Sequence, residues 1–191
     1  MSKMTFSLIG WTPKTTLSVS FATVTNGLSI KAVVDPTIFA EESNRSSRHI
    51  HKSVVTYLES CTTRMIDSAA NVTLSSPSEI SRELQKLEVA IGRLDQAVLE
   101  LERLRRRYQA KIYRKQEGTF VITADFKNAS SHVRAGLEFS DLYPETPLEI
   151  RMDLMEGEAD LDALHRELTK TAKPGHGNLS RVFDVLSAAL S

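Results

Sequence analysis

Apolar and polar residues alternate with period two in five stretches of the 191-residue chain, and each stretch reads as a strand. Leu17, Val19 and Phe21 share one face, opposite Ser18, Ser20 and Ala22. Thr25-Asn26-Gly27 follows as a hairpin signal, because Asn and Gly tolerate positive φ. Leu28, Ile30 and Ala32 then alternate with Ser29 and Lys31. Further on, Phe120, Ile122, Ala124 and Phe126 alternate with Val121, Thr123 and Asp125. Val133, Ala135, Leu137 and Phe139 oppose Arg134, Gly136 and Glu138, and Leu148, Ile150, Met152 and Leu154 oppose Glu149, Arg151 and Asp153. A sixth, weaker alternation runs from Phe6 to Trp11. One dry and one wet face per strand marks antiparallel sheets covered on one side.

Four other segments carry helical spacing. Ile50, Val54, Tyr57, Leu58, Cys61 and Met65 form one stripe over His49 to Ser68. A long segment runs from about Pro77 to Tyr113; Ser76 can cap it, with Pro77 at the first helical position and Glu79 placed for a capping box. Leu161, Leu164 and Leu168 line a third helix over Asp160 to Thr171, stopped by Lys173-Pro174-Gly175. The last, over Asn178 to Leu190, takes Asn178 as its cap and buries Leu179, Val182, Phe183, Leu186 and Leu190.

The order is two or three strands, helices, three strands, then helices. That is α+β, not the regular alternation of a parallel sheet. Thr73 to Ser78 links two helices, and Asp35 to Ser47 reads as a polar surface loop. The halves meet near residue 75, giving units 1–75 and 76–191. Neither could bury much surface alone, so they are expected to pack together.

Within the long helix, Ile80, Leu84, Leu87, Ile91, Leu94, Val98 and Leu101 step by four and three residues in alternation. That is a heptad seam. It fits either a coiled coil with a partner helix or a helix laid across the sheet of its own domain. At 1.5 Å per residue the helix spans roughly 50 Å, longer than a small sheet can cover. The basic run Arg103, Arg105, Arg106, Arg107, Lys111, Arg114 and Lys115 sits at its end, where cations suit the helix dipole and long stems cover apolar surface. The acidic run Glu156, Glu158, Asp160 and Asp162 precedes the third helix and suits its positive end.

Composition narrows the function classes. Lys plus Arg equals Asp plus Glu at 24 each, so the net charge is zero and nothing draws the whole chain to nucleic acid or anionic membrane. The basic run lacks interleaved aromatics or a known nucleic-acid motif, so nucleic-acid binding is not expected. Cys61 is the single cysteine, which excludes an internal disulfide and a cysteine-built zinc site and fits a reducing compartment. Met1-Ser2-Lys3-Met4 lacks the apolar core of a signal peptide, and no stretch approaches ~20 apolar residues, so a soluble intracellular protein without a membrane span is expected.

No catalytic constellation emerges. His49 and His51 would point to different faces of a helix, which suits capping or solvent exposure better than metal. His132, His165 and His176 have no nucleophile or acid at a telling spacing. Gly175-His176-Gly177 lacks the setting of a phosphate loop, and the carboxylates read as solvated on wet faces. No cofactor and no enzymatic activity are expected.

Leu142-Tyr143-Pro144-Glu145-Thr146-Pro147-Leu148, between the strands at 133–139 and 148–154, resembles the Tyr-Pro turn of RWD domains. Pro144 and Pro147 fix φ and remove N–H donors, forcing a stiff bend, while Tyr143 can pack its ring and place its hydroxyl. A helix and two strands before the turn, with a strand and two helices after it, match the RWD order. RWD domains are similar in fold to ubiquitin-conjugating enzymes, which carry a thioester cysteine after this turn near a His-Pro-Asn motif. Here no cysteine follows Cys61 and no His-Pro-Asn occurs.

The wider chain resembles the C-terminal tandem RWD region of the kinetochore scaffold family that comprises Blinkin and the fungal Spc scaffolds. The resemblance rests on Leu17 to Phe21 with Leu28 to Val33, on His51-Lys52-Ser53-Val54-Val55-Thr56-Tyr57-Leu58-Glu59, on Thr119 to Leu148, and on Leu179-Ser180-Arg181-Val182-Phe183-Asp184-Val185-Leu186. The spacing of the two prolines is one residue shorter than the common RWD form, as in this family. One departure is that a complete first unit would open with a helix, whereas strands begin almost at once.

The resemblance implies tandem RWD-like units, each a small antiparallel sheet covered by helices on one face, with the long helix opening the second. It implies a fragment of a longer nuclear scaffold whose upstream part recruits checkpoint proteins, and which docks at the kinetochore onto the Mis/MIND complex through a segment of one subunit. Capture would run along a sheet edge or an inter-domain groove. Trp11 and Phe21 are the candidate anchors, each serving either as a core plug or as a hot spot. Tyr143, Pro144 and Pro147 are assigned to the turn. The alternatives are another tandem-RWD centromere subunit, or a coiled-coil adaptor that pairs through the 80–101 seam.

Overall fold

The computed structural model of the chain describes residues 4–9, 16–24, 27–34, 51–70, 73–74, 76–175 and 177–190. It is α+β and divides into two compact units, Met1–Ile50 with Leu58–Gln96, and His51–Tyr57 with Ala97–Ser191. The dividing points fall inside two helices, at Tyr57 and Gln96, whereas the sequence pattern suggests the connector near residue 75.

The first unit holds β1 (Met4–Ile9), β2 (Thr16–Val24), β3 (Gly27–Val34) and β4 (Thr73–Leu74), antiparallel and in that spatial order. β2 and β3 form a hairpin with Val24 opposite Gly27, where the Asn-Gly signal lies. β4 sets Leu74 opposite Leu28, so a short strand occupies what reads as a plain connector. Trp11, Asn26, His49 and the 35–47 loop lie outside the described residues.

Two helices contribute to both units, α1 (Lys52–Ala70) and α2 (Pro77–Tyr108). The capping box expected at Ser76 forms reciprocally: the Glu79 N–H donates to Ser76 Oγ (3.3 Å), and the Ser76 N–H donates to Glu79 Oε2 (3.2 Å). In the first unit α1 buries Leu58, Cys61 and Thr62, and α2 buries Leu87, Ile91 and Leu94.

The second unit is built on β5 (Lys111–Gln116), β6 (Thr119–Lys127), β7 (Ser131–Ser140) and β8 (Glu149–Gly157), a four-stranded antiparallel meander. α3 (Leu161–Thr171) and α4 (Asn178–Ala189) follow. Strict alternation along β7 buries Val133, Ala135, Leu137 and Phe139, and β6 adds Phe120, Ile122, Ala124 and Phe126. From α2 come the buried side chains Val98, Leu101 and Leu104, while Leu179, Val182, Phe183 and Leu186 supply the buried stripe of α4. Tyr57, from the start of α1, meets Phe120 edge-on (5.2 Å, 83°) and Phe139 at a tilt (5.6 Å).

Three further sequence expectations change. The long helix stops at Tyr108, not Tyr113: Gln109 turns left-handed (φ 52°), and Lys111–Gln116 forms β5, with Ile112 opposite Ile122. Gly177, left-handed at φ 74°, caps α4, whereas Asn178 lies inside the first turn, fully buried. On β8 only Ile150 of the expected dry face is buried; Leu154 stands 39% exposed. β8 is an edge strand, and its register with β7 shifts at His132/Val133, so its end leaves the covered part of the sheet.

Candidate functional site

The Tyr-Pro turn is held by hydrogen bonds within the bend and to neighbouring elements. It leaves β7 at Ser140, whose carbonyl accepts the Tyr143 N–H (3.0 Å) and whose hydroxyl accepts the Leu142 N–H (3.1 Å). Ser140 Oγ and Thr146 Oγ1 lie 2.8 Å apart across the bend. The Tyr143–Pro144 peptide is cis, and the Pro144 carbonyl accepts the Gly175 N–H (2.9 Å), tying the turn to the α3–α4 loop. Pro144 is buried and Pro147 exposed.

The Tyr143 side chain joins three elements. Its ring packs edge-on against Phe139 (5.8 Å, 70°). Its hydroxyl donates to Glu100 Oε2 of α2 (2.7 Å) and accepts the Leu179 N–H of α4 (3.2 Å). Burial, and then the Glu100 carboxylate, push the phenol far above its ordinary pKa, so it stays a donor. Glu100 Oε1 accepts the Ser180 N–H (2.7 Å). Two N–H groups of the first turn of α4, which have no partner inside the helix, are thus satisfied from outside it. A carboxylate at that end also suits the helix dipole.

Two residues on, Glu102 does the same for α1. Its Oε1 accepts the His51 N–H at the helix start (2.7 Å), and its Oε2 meets Arg105 (3.2 Å) and Arg106 (3.6 Å). Glu100 and Glu102 are 9% and 8% exposed, while the intervening side of the helix shows Leu99 at 46%. The expectation of solvated carboxylates therefore fails at these two. A carboxylate pair set inside an apolar run, Val98-Leu99-Glu100-Leu101-Glu102, is the signal that could have marked them.

The remaining sequence candidates scatter. Phe21 sits in β2 opposite Met4 and Ile30, and Trp11 lies outside the described residues, so the described residues bring no shared anchor surface together from the pair. Of the seam, Leu87, Ile91, Leu94, Val98 and Leu101 are at most 8% exposed and Leu84 is half-buried. The basic run divides between the last turn of α2 and β5: Arg107 pairs with Asp184 (2.8 Å) and Lys115 with Glu138 (2.6 Å). Asp160 caps α3 by accepting the Ala163 N–H (2.8 Å).

Among the described residues the histidines do not converge. His51 opens α1 with Nδ1 on the Ser53 hydroxyl (2.7 Å), His132 meets Asp125 (3.1 Å), and His165 is exposed on α3; His176 lies outside the described residues. Among the described residues no cluster of His, Cys, Asp or Glu could hold a metal ion, and no helix is long and apolar enough to cross a membrane. No protein-family model matches the chain, and no curated protein matches it either.

Proposed function

We propose that this chain is a non-catalytic tandem RWD module of the Blinkin and fungal Spc kinetochore scaffold type. In this reading it docks its scaffold onto the Mis/MIND complex, at the kinetochore in the nucleus, by binding a segment of one subunit. The supporting observation is the element order of the second unit around its Tyr143–Pro144 turn: helix, three strands, the turn, a strand and two helices. It carries one strand more before the turn than the sequence pattern indicates, because β5 stands where the end of the long helix is expected.

The use of the turn supports a binding role over conjugation chemistry. Tyr143 and Glu100 spend their polar atoms on α4 and on each other. The only cysteine, Cys61, is buried and precedes the turn, whereas thioester transfer in the related enzymes needs an accessible cysteine after it. What the second unit offers a partner is its sheet edges, β5 and β8.

The test is a titration of the purified chain with recombinant Mis/MIND complex, with and without the subunit tails. Saturable binding that disappears with one tail is the expected result. No binding at roughly tens of micromolar, a weak affinity for a specific interface, overturns the docking reading.

A further inference from the structure

β5 is shorter than the strand beside it. It begins at Lys111, opposite Thr123, whereas β6 continues to Lys127 and pairs with β7 to its end, Lys127 opposite His132. Among the described residues, Ala124–Lys127 therefore has a strand neighbour on one side only. The missing stretch of β5 is replaced by the left-handed turn at Gln109, which carries the chain from α2 into the sheet. A cavity of about 900 Å³ opens at this notch, lined among others by Arg107, Tyr108, Lys111, Tyr113, Lys127 and Arg134. That is within the size of ligand clefts, about 300–1,000 Å³.

The charges around the notch are unbalanced. Arg107 is held by Asp184 (2.8 Å) and Arg134 by Asp125 (2.9 Å). Lys111 and Lys127 are exposed and have no carboxylate partner among the described residues. Tyr113, on the same face of β5 as Lys111, is 50% exposed, an unusually open position for an aromatic ring in a sheet.

We propose that this notch receives an acidic segment of a partner protein in extended conformation. The segment adds as a short strand beside Ala124–Lys127, in line with β5. Its main chain meets the unpaired edge of β6, its carboxylates meet Lys111 and Lys127, and an apolar side chain covers Tyr113. An unpaired strand edge gives amide hydrogen bonds that a peptide satisfies and a phosphodiester chain does not. With Arg107 paired to Asp184 and Arg134 to Asp125, the two lysines left also make too small a positive footprint for nucleic acid. The proposal rests on the docking reading only for which protein supplies the segment; the chemistry of the notch stands on the geometry.

The experiment uses the whole 191-residue chain and fluorescence anisotropy with three labelled probes: a peptide of alternating Val and Glu, the same peptide with Lys for Glu, and an oligothymidylate. The acidic peptide should bind saturably, with affinity falling as salt rises, and the basic peptide should not bind. The double variant Lys111→Glu with Lys127→Glu should weaken binding by about ten-fold or more. Hydrogen exchange should slow at the amides of Ala124–Lys127 in the bound state. Circular dichroism and melting confirm the fold of the variant, and the milder Lys111→Ala with Lys127→Ala should weaken binding in the same direction. No binding of the acidic peptide, equal binding of both peptides, unchanged affinity in the folded variants, or oligothymidylate binding as tightly as the peptide each overturns the proposal.

The two readings fail separately. A double variant that binds the Mis/MIND complex as well as the original chain does overturns the notch and leaves docking intact. A chain that binds the acidic peptide at the notch but not the complex leaves the notch and overturns that partner.

Discussion

Tyr143 and Glu100 share one buried hydrogen bond and split the first turn of α4 between them. Tyr143→Phe keeps the ring against Phe139 but leaves Glu100 Oε2 without its donor and the Leu179 N–H without its acceptor. Stranding such buried groups costs about 1–3 kcal/mol each, so urea unfolding should show a loss of about 2–6 kcal/mol for the two. Glu100→Ala strands the phenol and the Ser180 N–H together and removes the charge from the helix end, and should cost about 3 kcal/mol or more. Glu100→Gln keeps one acceptor at nearly the same size and should fall between Glu100→Ala and the original chain. Three variants each as stable as the original chain would contradict this tie between Tyr143, Glu100 and α4. Half of this site is legible in the sequence. The two prolines mark the bend, and an aromatic with a hydroxyl beside them invites a structural role. The role of Glu100 is not legible: the apolar run around it marks a position worth noting, but its partner Ser180 lies 80 residues away and no spacing connects the two.

The last turn of α2 is tied to α4 by Tyr108, whose ring packs at a tilt against Phe126 (5.7 Å) and Phe183 (5.3 Å) and whose hydroxyl donates to Asp184 (2.6 Å). Burial first, and then the hydrogen bond to Asp184, push this phenol from 10.0 up to about 12. A raised folded pKa favours the neutral form in the fold. The stabilisation is therefore whole below the unfolded value and is lost as pH rises from about 10 to about 12. Tyr108→Phe retains the ring contacts and lacks the titrating group. Its denaturation midpoint should fall less than that of the original chain over this window, and parallel curves would contradict the tie. At this scale the sequence pattern fails just beyond Tyr108. Lys111–Gln116 buries one residue, Ile112, with charged and polar neighbours, so an edge strand there shows none of the alternation that exposes β6 and β7. The basic side chains that suggest a helix end belong partly to that strand.

Across the whole chain, the α+β class was legible because β2, β3, β6 and β7 each carry clean period-two patterns, and the capping box at Ser76 fixes where the long helix starts. The division of the units was not, since α1 and α2 each serve both and no composition shift marks Tyr57 or Gln96. The heptad seam is the feature with two readings that periodicity cannot separate: a partner helix and a domain's own sheet both demand an apolar stripe. Burial separates them. Leu87, Ile91 and Leu94 belong to the first unit and Val98 and Leu101 to the second, and all are at most 8% exposed in the single chain. A dimer through this stripe would have to uncover it. Sedimentation equilibrium should therefore give the mass of one chain at every concentration. Leu94→Glu should act on folding and not on association, because it forces a carboxylate into a closed apolar site, at a cost of about 3 kcal/mol or more. The two readings predict opposite signatures for that variant. A buried core position gives a monomer that unfolds early in urea, and a pairing seam gives a dimer that falls apart into monomers with unchanged circular dichroism and melting.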